Sequence, residues 1–524
     1  MRKHIKLCLY ISLIIFMTCL CANIYYSLPY YGTKPIHFQN VDGNQIGARY
    51  AESQNGYGVI IANDLTHDKS ELSSVVSELI KNGYGVFVFD FPSEGESEGY
   101  INFHYKNSSF LAEQFYNSMV VYSQISSLPA EKIHVVGYGE GARAVLETVG
   151  YDYFSPASLT LIGCSLNLSN KTEFDIINYV NDGKAEWISN LKNNISCNTH
   201  IIYSNIDEVS NEADNEALSK LLLKTSMSKV RLVPHSFLMS SVSVSYSVLE
   251  FISEADGFTY RKNSALALRT PIVVVIYAAL AFLLYTANIL LNMKTKYETA
   301  QLKNLPLMPK HFIKKKLYVH VFALPLGILT AAAMYLFSVK MPYFEIVFFI
   351  YAAYPVLMTL LYTLTDFCND ISIFKREENR SLFRSAAAFI VFAAVMSAIS
   401  LSGTYSIFSF NSKRMWRLIF TFGFGLMFYI DNKERSCVAF TIKENMQVML
   451  ANYALFIILP ILFLLLGLYN NACVSIMRLA LLGMVLLFGE ILNKLNCPSY
   501  LSSLYKGFIF QMTAFANMMI FVKQ

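Results

Sequence analysis

Few stretches of this 524-residue chain combine residue types at a spacing that chemistry could use. The first is Lys132-Ile133-His134-Val135-Val136-Gly137-Tyr138-Gly139-Glu140-Gly141-Ala142, an apolar run closed by three spaced glycines, as a sharp turn from strand to helix favours. Gly137-x-Gly139-x-x-Ala142 also fits a dinucleotide-binding turn. That turn should close the first strand of its unit and be followed by an acid ending the next strand, where this chain has Cys164, so no such cofactor is expected. Cys164 and Ser165 end another apolar run, at the strand edge where sites of open α/β sheets lie. Either one with His235 would make a workable displaced nucleophile and base, while the plainer reading of Cys164 is a small buried core residue. Farther along, Glu490, Asn493 and Lys494 share one helical face, and an ion pair between Glu490 and Lys494 near the helix end is the plainer reading. Glu377-Glu378 with Arg384 lacks metal-site spacing, and no His-Glu-x-x-His or phosphate-binding loop occurs, so no metal is expected.

The elements that must position these residues alternate β-rich runs with helical periods between Pro35 and Asp256. Strands are predicted at His37 to Val41, Gln45 to Ala51, Gly58 to Ala62, Gly85 to Asp90, Lys132 to Val136, Ser158 to Ile162, Thr199 to Tyr203 and Lys229 to Val233. Helices are predicted at Asp68 to Asn82, Ser109 to Ser126, Glu140 to Val149, Glu212 to Leu223 and Ser240 to Ser253. A hairpin around Asp42-Gly43 followed by βα units is the layout of the α/β-hydrolase fold, with a mostly parallel sheet.

Specific segments carry a resemblance. Gly83-Tyr84-Gly85-Val86-Phe87-Val88-Phe89-Asp90-Phe91-Pro92-Ser93-Glu94-Gly95-Glu96-Ser97-Glu98-Gly99 resembles the strand and loop of the serine aminopeptidase and monoacylglycerol lipase branch of the α/β-hydrolases. Lys132 to Ala142 resembles the strand, nucleophile elbow and helix of that family. Ile201 to Glu208 resembles its acid-bearing strand end, and Val230 to His235 its histidine loop, in the family's order of nucleophile, acid and histidine. The resemblance implies Asp207 as the acid and His235 as the base. It also puts Gly139, between the small residues Gly137 and Gly141, at the nucleophile position, which is thus vacant. Moving the frame to Glu140 would put Tyr138 where close packing needs a small residue. After the third strand the family has His-Gly supplying an oxyanion N–H. This chain has Asn63-Asp64, and an anion in that oxyanion region, with Glu140 beside the elbow, opposes oxyanion stabilisation.

Composition sets the remaining frame. The chain is 54% hydrophobic and 15% charged, with mean hydropathy +0.39, too apolar for soluble domains alone. Thr33 to Asp256 holds 27 of the 37 acids and 14 of the 42 bases, so the soluble-looking part would repel phosphate and a nucleic-acid partner is excluded. Residues 1–27, with the apolar run Cys8 to Ile24 behind basic residues, read as an uncleaved anchor. Eight further spans are expected in 270–523: Pro271 to Leu291, Leu317 to Phe337, Tyr343 to Leu364, Ser385 to Ser402, Trp416 to Ile430, Met446 to Tyr469, Ala472 to Leu492 and Leu501 to Val522. Basic loops at Lys294 to Lys316 and Lys375 to Arg384 place the N-terminus in the cytoplasm and residues 28–268, with the 35–256 domain, outside a cell membrane. Lys413, Arg414 and Arg417 oppose this sidedness locally. The expectation is a multi-pass membrane protein contacting the lipid bilayer, whose exported module has lost its serine and binds or scaffolds. The alternatives are an active hydrolase of lipid, peptide or cell-envelope esters with a displaced nucleophile, and a transporter or sensor gated by the module. The oligomeric state is not legible.

Overall fold

A computed structural model describes residues 2–99, 110–164, 191–261, 268–294, 382–401, 418–437, 442–465 and 469–514, apart from a few single positions within them, together with Leu166 and scattered positions between 314 and 357. Apart from those scattered positions, the predicted spans Leu317 to Phe337 and Tyr343 to Leu364 lie outside the described residues, as do the sequence Glu377-Glu378 and Ser165.

Eight strands form one sheet: β1 (Lys34–Gln39), β2 (Gln45–Ala51), β3 (Gly58–Ala62), β4 (Gly85–Phe89), β5 (Ile133–Tyr138), β6 (Ser158–Ile162), β7 (Asn198–Ser204) and β8 (Thr225–Val230). Their order is β1-β2-β4-β3-β5-β6-β7-β8. β1 and β2 pair antiparallel as a hairpin, β2 runs antiparallel to β4, and every later pairing is parallel. This is the α/β-hydrolase sheet. Its central strands β3 to β6 are buried along their whole length, as strands covered on both faces must be.

Side chains alternate between the two faces with the period of two. Val135 and Leu161 face a core shared with α3 (Phe110–Ser126), α4 (Glu140–Gly150) and α5 (Glu212–Leu221). Val136 and Ile162 face a second core closed by α2 (Ser73–Lys81) and α6 (Val242–Ala255). Tyr30 packs in that second core although it belongs to α1 (Arg2–Tyr31), so the N-terminal helix runs into the module rather than hanging from a linker. β8 begins four residues before its predicted position. It is an edge strand whose Thr225-Ser226-Met227-Ser228-Lys229 stretch is largely exposed, so little apolar patterning marked it.

The remaining helices are α7 (Arg269–Lys294), α8 (Leu382–Leu401), α9 (Leu418–Cys437), α10 (Ile442–Asn452), α11 (Ala454–Leu465), α12 (Tyr469–Lys494) and α13 (Ser499–Ala514). They share one apolar cluster with α1, including Phe16, Leu280, Phe428, Phe456, Val485 and Phe510. Among the described residues three helices, Lys3–Tyr31, Pro271–Leu291 and Ser475–Lys494, are long and apolar enough to cross a membrane. The single span expected over Met446 to Tyr469 is instead two helices meeting at 64°, which raises the number to four if the bent pair counts as one.

Besides Tyr30, Arg269 and Phe237 tie the module to the helices. Arg269, buried at the start of α7, donates to Asn23 Oδ1 at 3.1 Å and Ser27 Oγ at 3.1 Å on α1, and to Ser73 Oγ at 3.0 Å and Ser74 Oγ on α2. Phe237, two residues beyond His235, packs on the bundle's apolar cluster.

Candidate functional site

The turn from β5 into α4 places Gly139 at the head of the helix with φ 54° and ψ −120°, a backbone that side-chain-bearing residues adopt only under strain. Gly141 lets α4 approach the end of β3: a Cβ there would lie 2.4 Å from the Asn63 carbonyl oxygen. This close approach brings the residue after Asn63 across the elbow.

Asp64 is that residue, and its carboxylate fills the elbow. A Cβ built on Gly139 would lie 2.3 Å from Asp64 Cγ and 2.3 Å from Oδ1. Oδ1 accepts from the backbone N–H of Glu140 at 2.8 Å and from that of Leu65 at 2.9 Å. In a serine hydrolase of this fold, an N–H from the residue after the nucleophile and one from the loop after β3 form the oxyanion hole. Asp64 places its own anion on the two N–H groups at the corresponding positions of this chain. Its Oδ2 pairs with His235 Nε2 at 3.1 Å, the ring nitrogen that would take a serine proton.

His235 is held from its other side. Its Nδ1 lies 2.9 Å from Asp207 Oδ2 and 3.0 Å from Oδ1, at the end of β7. Asp207 Oδ1 also accepts the backbone N–H groups of Val209 and Ser210, both at 2.8 Å, so the carboxylate that meets His235 also holds the turn that follows it. Tyr138 stacks on the imidazole with centroids 5.1 Å apart and donates its hydroxyl to the His235 carbonyl at 2.5 Å. Asp64, Asp207 and His235 are all buried.

Electrostatics follow from this row of anion, imidazole and anion. Burial opposes a charge on His235, but Asp207 and Asp64 outweigh it and hold the imidazolium well above the ordinary histidine range. Burial likewise opposes ionisation of Asp64, and the bond and charge of His235 outweigh it, so its carboxyl titrates below the usual range. The sign for stability differs between the two. The gain at His235 is fully present below its unfolded value of ~6.5 and is lost as pH rises through the raised folded value, whereas the gain at Asp64 is present above ~3.9 and is lost as pH falls through the lowered one. The stability difference between the native chain and His235→Gln is therefore expected to be greatest near pH ~5 and to shrink toward alkaline pH. Urea unfolding across pH measures it, and a difference that widened with rising pH would contradict the assignment of the charges.

The neighbouring His67 pairs with Glu71 and meets Tyr138 edge-on, with centroids 5.5 Å apart. Burial lowers its proton affinity, but Glu71 more than compensates and the net shift is upward. Sequence reading passed over this pair, although the i, i+4 spacing of His67 and Glu71 was visible.

Of the other expected residues, Glu140 reaches the site through its backbone N–H. Glu140 is buried and turns to Arg143 Nε at 2.7 Å, and burial outweighs that partner to raise its carboxyl pKa. Cys164 packs in the core shared with α3 and α4, and burial pushes its thiol far above the range where a thiolate forms at neutral pH. In the bundle, Lys494 Nζ reaches the Asn288 carbonyl at 3.4 Å.

No family model matches the chain, and no curated protein matches it. Solved structures do. A Pyrococcus furiosus esterase is 14% identical, with 43% of this chain and 91% of that one covered and a TM-score of 0.35. A membrane phospholipase A described as a bacterial virulence factor is 12% identical over 47% of this chain and 93% of that one, with a TM-score of 0.36. A Butyrivibrio proteoclasticus protein with ferulic acid bound is 16% identical over 42% of this chain and 99% of that one, with a TM-score of 0.33.

Proposed function

We propose that the α/β-hydrolase module is a non-catalytic domain that binds or scaffolds at the outer face of a membrane, carried by the helical bundle. One observation supports this above all: the Asp64 carboxylate takes both the nucleophile's space and the oxyanion donors. Triad chemistry needs His235 Nε2 free to accept a proton from a nucleophile. Here that nitrogen meets the Asp64 carboxylate directly, at 3.1 Å. The row of charges acts as a clasp joining the loops after β3, β7 and β8 across the elbow.

The experiment is covalent labelling. The native chain, purified in detergent, is expected to resist a fluorophosphonate probe and to release no product from short-chain esters. Labelling lost in His235→Ala would mark a displaced nucleophile and overturn the reading. An adduct mapped to Asp64 by mass spectrometry would identify that carboxylate as the nucleophile.

A second reading, a module that senses or gates for the bundle, is favoured by the ties that Arg269 and Phe237 make to the helices. Phe237 carries the His235 loop onto the membrane helices, and Arg269 fixes the start of α2, which follows directly on the segment bearing Asp64, His67 and Glu71. A ligand that separates Asp64 from His235 would shift both loops against α1 and α7. Its signature is a bundle response, such as flux or altered helix accessibility, that depends on ligand at the module and is lost in Arg269→Ala.

A further inference from the structure

The junction between the module and the α1–α7 pair buries a guanidinium and a carboxylate that do not pair with each other. Arg269 is 3% exposed, and the oxygens that Asn23, Ser27, Ser73 and Ser74 offer it, from α1 and the start of α2, are all neutral. Glu78 lies one turn beyond Ser74 on α2 and is fully buried. Its Oε1 accepts from Lys81 Nζ at 3.1 Å, whereas Oε2 has no hydrogen-bond partner. Ser77 Oγ, on the same face of α2, has none either. The charge of Glu78 reaches the guanidinium, yet the ion pair that Glu78 forms among the described residues is with Lys81.

This arrangement is unfavourable on both sides. A buried guanidinium is held best by a carboxylate, which takes two of its N–H groups in a fork, while hydroxyls give it hydrogen bonds without charge. A buried carboxylate oxygen with no donor forfeits the kind of hydrogen bond that is worth most. The gap between the two groups is short. Helix residues four apart stand one above the other at about 5–6 Å, and their Cα–Cβ bonds tilt toward the N-terminus, so a carboxylate at position 78 reaches the level of Ser74 and of the guanidinium bonded there. Lys81 holds the carboxylate from the opposite direction. The lysine side chain is 33% exposed, so water takes over the ammonium when Glu78 lets go.

The chain also provides for the movement. Asn23 and Ser27 belong to α1, which packs along α7, so both travel with Arg269. Tyr30 stays in the module core, and Pro29, between it and Ser27, removes the N–H that would close α1 onto the Tyr25 carbonyl. A swing of the helix pair about Pro29 thus separates Arg269 from Ser73 and Ser74 and leaves its bonds to α1 intact.

We infer that Glu78 exchanges partners: it holds Lys81 in the register described above, and in a second register the α1–α7 pair swings so that Arg269 leaves Ser73 and Ser74 for Glu78 and Lys81 turns to water. The junction is then a two-position coupling between module and bundle, the kind of element through which one site biases another. A ligand that opened the clasp at Asp64 would displace the start of α2 and favour one position. That role rests on the reading of the module as a gate. The exchange itself belongs to the junction and needs no ligand, so its failure would leave the gate reading standing.

The test follows acetylation of Lys81 in the full chain, purified in detergent, during a short pulse of N-hydroxysuccinimidyl acetate read by peptide mass spectrometry. An amine held by a buried carboxylate is acylated more slowly than one in water. The exposed Lys132 serves as internal reference, and Lys69, buried with Asp90, should stay unlabelled in every variant that has folded. Glu78→Gln leaves Lys81 unheld and sets the upper rate. Ser73→Ala with Ser74→Ala removes the hydroxyls that hold the first register, and the Lys81 rate is expected to rise several-fold above native. Arg269→Gln keeps a donor for the serines but offers Glu78 no charge, and the rate is expected to fall several-fold below native. The opposite signs are the signature, because a fixed tie loosened from either side moves the rate the same way. A rise in both variants, or a native rate in either, would overturn the exchange.

Discussion

Gly139→Ser alone is expected to leave the chain unreactive toward a fluorophosphonate, whereas Gly139→Ser combined with Asp64→Gly is expected to label. The sequence by itself suggests that one substitution would suffice, since Asp207 and His235 are retained. Geometry changes the expectation. A serine Cβ would meet the Asp64 carboxyl carbon at 2.3 Å, so the single variant must push out a charged, doubly bonded side chain or distort the elbow. Strained backbone of this kind costs a further ~1–3 kcal/mol for a residue other than glycine, although the elbows of active hydrolases bear a serine under the same strain. Removing the carboxylate releases three things together: the space for Oγ, the N–H groups of Glu140 and Leu65 as oxyanion donors, and Nε2 of His235 as base. Labelling should rise from none to a readily detected signal in the double variant and vanish when His235→Ala is added. Equal labelling of the single and double variants would show that Asp64 does not obstruct the elbow. A folded double variant that stays inert would sink the correspondence between Gly139 and the nucleophile position.

What the sequence disclosed and what it hid divide along a physical line. Gly137 and Gly141 were legible because backbone contact excludes any larger residue, a Cβ on Gly137 lying 2.4 Å from the Ala142 Cα, and Gly139 because its positive φ favours glycine, restrictions that are written in residue type. The central strands were legible because burial on both faces demands unbroken apolar runs. The sequence marked Asp64 as an anion out of place but not where its carboxylate goes. That depends on how closely α4 approaches β3, a tertiary distance with no local signal. The break at Tyr453 was hidden for a similar reason: Met446 to Tyr469 is apolar enough to read as one span, and Asn452 is a single polar residue whose partner, Asp431, lies on another helix. Tyr30 also escaped notice, because an aromatic at a membrane boundary looks the same whether it faces lipid headgroups or a protein core.

Asp64→Ala is expected to be the most destabilising single substitution in the module, and Asp64→Asn far milder. Deleting the carboxylate leaves a buried imidazolium with one of its two anions gone and two backbone N–H groups without their acceptor, and breaking a buried pair from one side costs about 3–5 kcal/mol. For a domain of this size that corresponds to a melting temperature lower by roughly 10 °C. Asparagine keeps an oxygen for Glu140 and Leu65, but its Nδ2 can only donate, so His235 must present a bare Nε2 and give up the second proton. Neutral histidine with Nδ1–H directed at Asp207 satisfies every partner. The cost of Asp64→Asn should therefore be largest at acid pH, where the native clasp gains most from the imidazolium, and should fade as pH rises and the native advantage disappears. Thermal unfolding of the three proteins at several pH values, with imidazole protonation followed by ¹⁵N-histidine NMR, reads both effects. If Asp64→Ala melted with the native chain at every pH, the carboxylate would not be holding the elbow, and the non-catalytic reading would lose its physical basis.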